Sequence, residues 1–303
     1  MLSLTSGRNL YGKFTQDSST ANLTHGDTLI NLAIREILGA ADWDFMEKTQ
    51  TQSTVASQQF YDLAGDFESM INGPYVVISN TRYTPKECPN RRFWDQLNAQ
   101  QNWFSDFPEW YFVFNGQVGL FPIPSSATTN GLVIPYKRGF SDLSLADYIT
   151  GTVDIITNGD ETVTGSGTAW ASPMAGRYLK VTPTDAAATS GDGLWYEIDS
   201  VTSATVLELK RKYLGISLVT GATAGYTIGQ MSPLPETYHI LPVLKAAEQY
   251  WLPKDDQRNR EFAQKYETLL AQMKNDESSK TTSPVIDDGM DTSIINPNLT
   301  ISL

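Results

Sequence analysis

The chain has 303 residues, 40% hydrophobic and 11% aromatic, which allows one large domain or two ordinary ones around a buried core. A formal net charge of −12 speaks against gripping nucleic acid by its phosphates, yet suits a wall beside a duplex that it repels. No apolar run approaches the ~18 residues of a membrane span, and "MLSLTSGRNLYGKF" is too interrupted for a signal peptide, so a soluble protein made in a cytoplasm is expected.

The first clear element is a helix over 24–42. Ile30, Ile34, Ile37, Leu38 and Ala41 share one face, and Thr24 with Asp27 three positions on approximates a capping box. From 43 to 137 β-branched and aromatic residues dominate. Strands are predicted over 58–67 and 75–83, and "NRRFWDQLNAQQNWF" (90–104) reads as a short helix between them and the next pair. In "EWYFVFNGQVGLFPIP" (109–124) two apolar runs flank Asn115-Gly116, the pair that a two-residue hairpin favours because both positions need positive φ. A third strand over 132–137 contains Pro135, which predicts an edge or a bulge.

Residues 147–230 differ in texture. "TVDII", "ETVTG", "RYLKV", "WYEID", "TVLELK" and "GYTIG" recur at even spacing between turn residues, the pattern of a small all-β sandwich or barrel. The glycines of "NGDETVTGSGTAW" (158–170) invite comparison with a phosphate-binding loop. Such a loop must open a helix, and Pro173 and Gly176 leave no room for one; no lysine follows the glycines either. Turn and bulge glycines are the better reading.

Helical periodicity returns over 235–252, where Pro242 implies a kink or a start near 239, and Pro253 a stop. A second helix over 254–276 aligns Phe262, Tyr266, Leu269, Leu270 and Met273. The expected fold class is α+β: helices packed together with a small antiparallel sheet (1–146 and 231–276), an inserted all-β sandwich or barrel (147–230), and an extended arm (277–303). The arm ends in alternating Leu299, Ile301 and Leu303, the spacing of a strand donated to a neighbour's sheet edge; a plain tail is the alternative.

No constellation for chemistry emerges. Cys88 is alone, and His25 and His239 have no partner at ligand spacing, so no metal or other cofactor is expected. Asp255 and Asp256 sit where a helix's first turn favours acids, and Asp160 and Glu161 sit on a turn. The first domain is dense in aromatics, among them Trp43, Phe93, Trp94, Trp103, Phe107, Trp110 and Tyr111. Most are expected in the core and a minority as interface anchors. Arg91-Arg92 and Lys210-Arg211-Lys212 are the tight basic clusters, suited to solvent or to an acidic partner. A glycan-binding surface formed by Trp170, Trp195 and Tyr196 is the main alternative function.

Taken in order, an N-terminal helix, "WDFMEKTQTQSTVASQQFYDLAGDF", "NRRFWDQL", the hairpin in "PEWYFVFNGQVGLFPIP" and "LPETYHILPVLKAAEQYWL" resemble the head-to-tail adaptor (head-completion or neck) proteins of tailed bacteriophages. The resemblance spans roughly 24–275 and rests on aromatics and turns. It implies a non-enzymatic virion protein of the neck: a ring, commonly of twelve copies, docked beneath the portal protein. Tail, nozzle or tail-fibre proteins would bind its other face, and DNA would pass through the channel unbound. Candidate interface residues are then Tyr266, Leu270 and Met273 on the last helix, Arg91 and Arg92, and Leu299, Ile301 and Leu303 of the arm.

Overall fold

The computed structural model describes all residues except 100–102, 187–188, 255–256 and 282–303. Two compact units result: residues 43–141, and residues 1–42 together with those from 142 onward. The chain is α+β, with helices and several mostly antiparallel sheets. The helices before residue 43 and after residue 230 fall in the same compact unit as 147–230, and the helix over 91–99 falls in the other.

The helical part has one element more than periodicity predicts. α1 (Leu4–Thr15) occupies a stretch assigned no structure from sequence, and Ser3 caps it through its side chain. α2 (Thr20–Gly39) starts four residues before the expected Thr24, because Ser19 accepts the N–H of Asn22 and serves as the cap. Of the predicted apolar face Ile30, Ile34, Ile37 and Leu38 are buried, with Ala33 beside them, but the helix ends at Gly39 and not at 42, which leaves Ala41 beyond it and half-buried. Gly26 lets the two helices approach, since a Cβ there would lie 2.4 Å from the Tyr11 ring. α4 (Leu241–Trp251) begins just before Pro242, where a missing N–H costs nothing in the first turn. It packs against α1, α2 and α5 (Gln257–Thr281). Because α5 runs to Thr281, the first residues of the expected arm are helical; the rest of the arm, like Asp255 and Asp256, lies outside the described residues.

In 43–141, α3 (Arg91–Ala99) and two sheets form three layers. One sheet has the order β1 (Glu47–Thr54), β9 (Thr128–Arg138), β4 (Tyr75–Ile78), β5 (Thr81–Tyr83), with β3 (Phe67–Met70) also on β9. The other has the order β2 (Phe60–Asp62), β8 (Gln117–Phe121), β7 (Trp110–Phe114), β6 (Lys86–Glu87). Strand alternation sorts the side chains. Tyr61, Tyr111, Val118 and Leu120 meet Val76, Leu132 and Ile134 in one core, while Trp94, Cys88 and Phe121 form another with Phe93, Trp110 and Phe112 beneath α3.

Four expectations here need correction. The 58–67 stretch is strand only at β2 and then turns, Phe67 N–H bonding the Ala64 carbonyl, so that β3 begins where the predicted strand ends. The 75–83 strand is a hairpin turning at Ser79 and Asn80, both at positive φ. The 90–104 helix stops at Ala99, and Phe104 is extended, bridging Ile123. Finally, Pro135 sits in a central strand: β9 pairs with β1 on one side and with β3 and β4 on the other. The Pro135 carbonyl accepts from Ile71 N–H, so its donor-less nitrogen faces the gap between β3 and β4. No bond to β1 is lost. The Asn115-Gly116 hairpin forms as predicted, with φ of 52° and 73°.

The region 147–230 contains a six-stranded sheet curled into a half-barrel. Its order is β10 (Thr152–Ile156), β11 (Thr162–Ser166), β14 (Val206–Leu209), β13 (Trp195–Ser203), β12 (Tyr178–Val181), β15 (Tyr226–Gly229). Each predicted strand is present within a few residues. Isolated bridges from β10 to Leu218 and Ala224 draw the ends together. Val153, Val163, Trp170, Leu179, Tyr196, Leu207, Tyr213 and Ile228 are among the residues filling the interior.

Polar groups tie α1 to this β module. Ser3 donates to Asp147 (2.9 Å), Asp147 N–H donates to Thr5 (3.0 Å), and Leu4 N–H donates to the Gln230 carbonyl (2.9 Å). Buried Arg177 reaches the carbonyls of Ala146 and Ile228 at 2.8 and 2.9 Å.

Candidate interaction surfaces

The glycine run of the β module resolves first. Gly159 and Gly167 have φ of 84° and 66°, and β11 lies between them, followed by a short 3-10 turn over Ser172–Met174. Gly165 makes room for Trp170: a Cβ there would stand 2.7 Å from the indole. The elements that flank these glycines are strands and a three-residue 3-10 turn, not the start of an α-helix that would present donors to a phosphate.

Two members of the supposed stacking platform are core residues. Trp170 is 3% exposed and its indole N–H donates to the Tyr226 hydroxyl at 2.9 Å. Tyr196 is also buried, and its strand neighbour Trp195 points to the opposite face, where Lys180 lies 4.7 Å over the ring. A planar sugar-binding surface from these three residues is therefore excluded. Asp160 accepts the N–H of Glu161 in the turn that joins β10 to β11.

The lone thiol and the histidines have structural surroundings. Cys88 is buried beneath α3, where burial and then Glu87 push its thiol up to about 11, leaving it protonated and inert. His25 is exposed on α2. His239 is buried and bound through both nitrogens: Nδ1 accepts from Leu2 N–H (3.1 Å) and Nε2 donates to the Leu234 carbonyl (2.8 Å). Burial holds its pKa below the ordinary value, so the neutral ring is favoured. Among the described residues no cluster of His, Cys, Asp or Glu is arranged to hold a metal ion.

A cleft of about 460 Å³ in the 43–141 unit is lined by Phe67, Met70, Glu87, Tyr111 and neighbours. The Tyr111 hydroxyl donates to Glu87 at 3.3 Å, and burial, followed by that carboxylate, raises its pKa to about 12. A protonated phenol beside a carboxylate offers hydrogen bonds but no activated nucleophile.

The predicted interface residues separate into three groups. Tyr266, Leu270 and Met273 are 1, 8 and 0% exposed, so in the folded chain they serve the packing of α5. Lys245 lies 4.8 Å from the Tyr266 ring and pairs with Glu36 (3.2 Å) and Glu248 (3.4 Å), closing that helical surface with charge. Arg91 and Arg92 are exposed on α3; Arg91 pairs with Asp95 (2.9 Å) and covers the Phe114 ring at 4.4 Å. Leu299, Ile301 and Leu303 fall outside the described residues.

Two groups of apolar side chains are exposed, and of these Trp103 and Phe107 are among the aromatics from which interface anchors are expected. In the 43–141 unit, Trp103, Phe104, Phe107 and Phe114 are 44–55% exposed, with Trp103 against Phe121, Phe107 against Tyr83 and Phe114 against Phe112. In the β module, Leu214, Ile216 and Val219 are more exposed still. Alternation in "LGISLV" does not mark the second, because Leu218 is buried while Leu214 and Ile216 at the same spacing are exposed. Exposed apolar patches on a folded chain mark places where something else binds.

Comparison with known proteins gives one family. The SU10 adaptor protein family matches residues 8–161, just over half of the chain, taking in the part of α1 from Arg8 on, α2, all of the 43–141 unit and the first strand of the β module. No curated protein matches the chain. The chain belongs to the SU10 adaptor protein family: it is a phage structural adaptor and a virion component.

Proposed function

We propose that, as an adaptor of this family, the chain assembles into a ring beneath the portal protein and attaches tail or nozzle components, leaving a channel for DNA. The family match over residues 8–161 carries this reading. The net charge of −12 supports it, because an acidic channel wall lets DNA pass without capture. The exposed aromatic and aliphatic surfaces of the two units supply faces that a multi-copy assembly would cover.

Within that reading α1, α2, α4 and α5 form a bundle that faces the portal. Residues 147–230, which enclose a core of their own, form an inserted module facing outward or tailward. Arg91 and Arg92 meet an acidic partner, and the arm with Leu299, Ile301 and Leu303 locks neighbouring copies. Twelve copies match a twelvefold portal. The test is sedimentation of the chain alone and after mixing with the portal protein of the same virus. A complex of one fixed stoichiometry supports the adaptor ring; a chain indifferent to the portal removes it.

A further inference from the structure

The aliphatic surface of the β module is a fixed ridge. Leu214, Ile216 and Val219 are 66, 61 and 73% exposed, and Leu194 is 51% exposed. Hydrogen bonds hold the backbone beneath them. Leu214 N–H donates to the Tyr196 hydroxyl (3.1 Å), which donates to Asp192 (2.5 Å), and the same carboxylate accepts from Leu194 N–H (2.9 Å). Asn158 holds the next turn, donating through its side chain to the Gly215 carbonyl (2.9 Å) and through its backbone N–H to Ser217 (2.8 Å). Leu218 turns inward and pairs with Ile156. A loop pinned so thoroughly cannot fold its side chains away, so the aliphatics stay in water until something covers them.

Positive charge leads into the ridge. Lys210 is paired with Glu197 at 3.0 Å, but Arg211 is exposed, lying 4.9 Å over the Tyr196 ring, and Lys212 is exposed and enters no ion pair among the described residues. A chain of net charge −12 meets copies of itself at a cost, and a local cationic surface is where an acidic segment can approach. The sequence from 282 to 303 is such a segment. It has Asp287, Asp288 and Asp291, no lysine or arginine, and aliphatics that include Ile294, Ile295, Leu299 and Ile301. About twenty extended residues reach up to ~70 Å, enough to cross to a neighbour.

We infer that the ridge at Leu214, Ile216 and Val219 is the docking site for residues 282–303 of a second copy of this chain. The aspartates face Arg211 and Lys212, and the aliphatics cover the ridge. The contact is heterologous, each copy offering one ridge and one acidic segment, so it propagates around a ring. The inference rests on the multi-copy reading above and names where its copies are joined.

The experiment is sedimentation velocity on the full chain over a concentration series, with two variants. One carries L214S, I216S and V219S; the other carries D287K, D288K and D291K. Each is expected to weaken self-association by about tenfold or more, with the far-UV spectrum unchanged. Mixing the two variants is expected to restore paired species, because each supplies the half that the other lacks. Association that neither variant alters overturns the docking site while leaving the ring intact. A wild-type chain that stays monomeric at every concentration, with the segment held on its own ridge, overturns the partner in trans. Full-chain binding to anionic lipid vesicles that is lost on L214S, I216S and V219S, with association unchanged, overturns it in favour of a membrane surface.

Discussion

The β module and the 43–141 unit are both built mainly from short strands, yet they declare themselves differently. In the module each strand is an alternating run ended by its own turn, and five of its neighbouring pairs form one continuous ladder. In 43–141 the longest ladder joins β1 to β9, strands some eighty residues apart, and β1 is "EKTQTQST", a polar strand with hardly a buried side chain. Local alternation reveals a strand that is half buried; a polar edge strand is defined by its partner and leaves no such mark. The two units also differ in how they fill space. The module encloses a single interior, whereas the 43–141 unit has one core between its sheets and an aromatic second core under α3.

That contrast can be tested at its centres. Trp170 is the largest side chain lining the module's interior and also donates to Tyr226 there, so Trp170→Ala is expected to cost about 3–5 kcal/mol. Calorimetry should show the β module's transition lowered and the 43–141 transition unmoved; a uniform shift of both would mean that the cores are not separate. Gly119 plays the corresponding part under α3, where a Cβ would lie 2.7 Å from Trp94 and 2.9 Å from Phe60. Gly119→Val is expected to cost about 1–3 kcal/mol and to perturb the near-UV aromatic signal of that unit alone.

A smaller effect should follow acidification. His239 has a lowered folded pKa, so the unfolded chain binds its proton first. Its contribution is complete above the ordinary value of 6.5 and is lost as pH falls from there through the folded pKa. Denaturant melts at pH 7 and 5 should show that loss in the native protein and a shallower one in His239→Gln; equal slopes would remove the histidine from the account. The least effect is expected at Pro135. Its nitrogen faces a gap between strands, so Pro135→Val should change stability by under about 1 kcal/mol. A gain well above that would show that a ladder bond was missing after all.

These positions also show what the sequence makes legible. The α2 face, the Asn115-Gly116 turn and the six strands of the module were readable because each is a local pattern of burial or of positive φ. The caps at Ser3 and Ser19 were missed because a serine among other polar residues is marked as a cap only by the helix behind it. The rule that places Pro135 at an edge or a bulge holds for a continuous ladder and not for one with a gap. Of the candidate surfaces, Arg91 and Arg92 are on the outside as expected. Tyr266, Leu270 and Met273 share a stripe that sequence alone assigns equally to a partner or to the chain's own core, and here α5 packs them inside. The aliphatic ridge lies between the predicted strands of 205–210 and 225–229, in a stretch for which the sequence predicts no element, and its Leu214 and Ile216 face out while Leu218 at the same spacing is buried.

The latch between α1 and the β module bears on the order in which the molecule can be made. Residues 43–141 have all their strands once Arg138 has left the ribosome, and chains generally form such units as they emerge. α1 is synthesised long before the groups that seat it. Asp147 follows it by some 140 residues, Gln230 and His239 come later again, and α4 is complete only at Trp251. The earliest helix in the chain is therefore among the last to find its place, and until then its apolar face is open to whatever holds nascent chains.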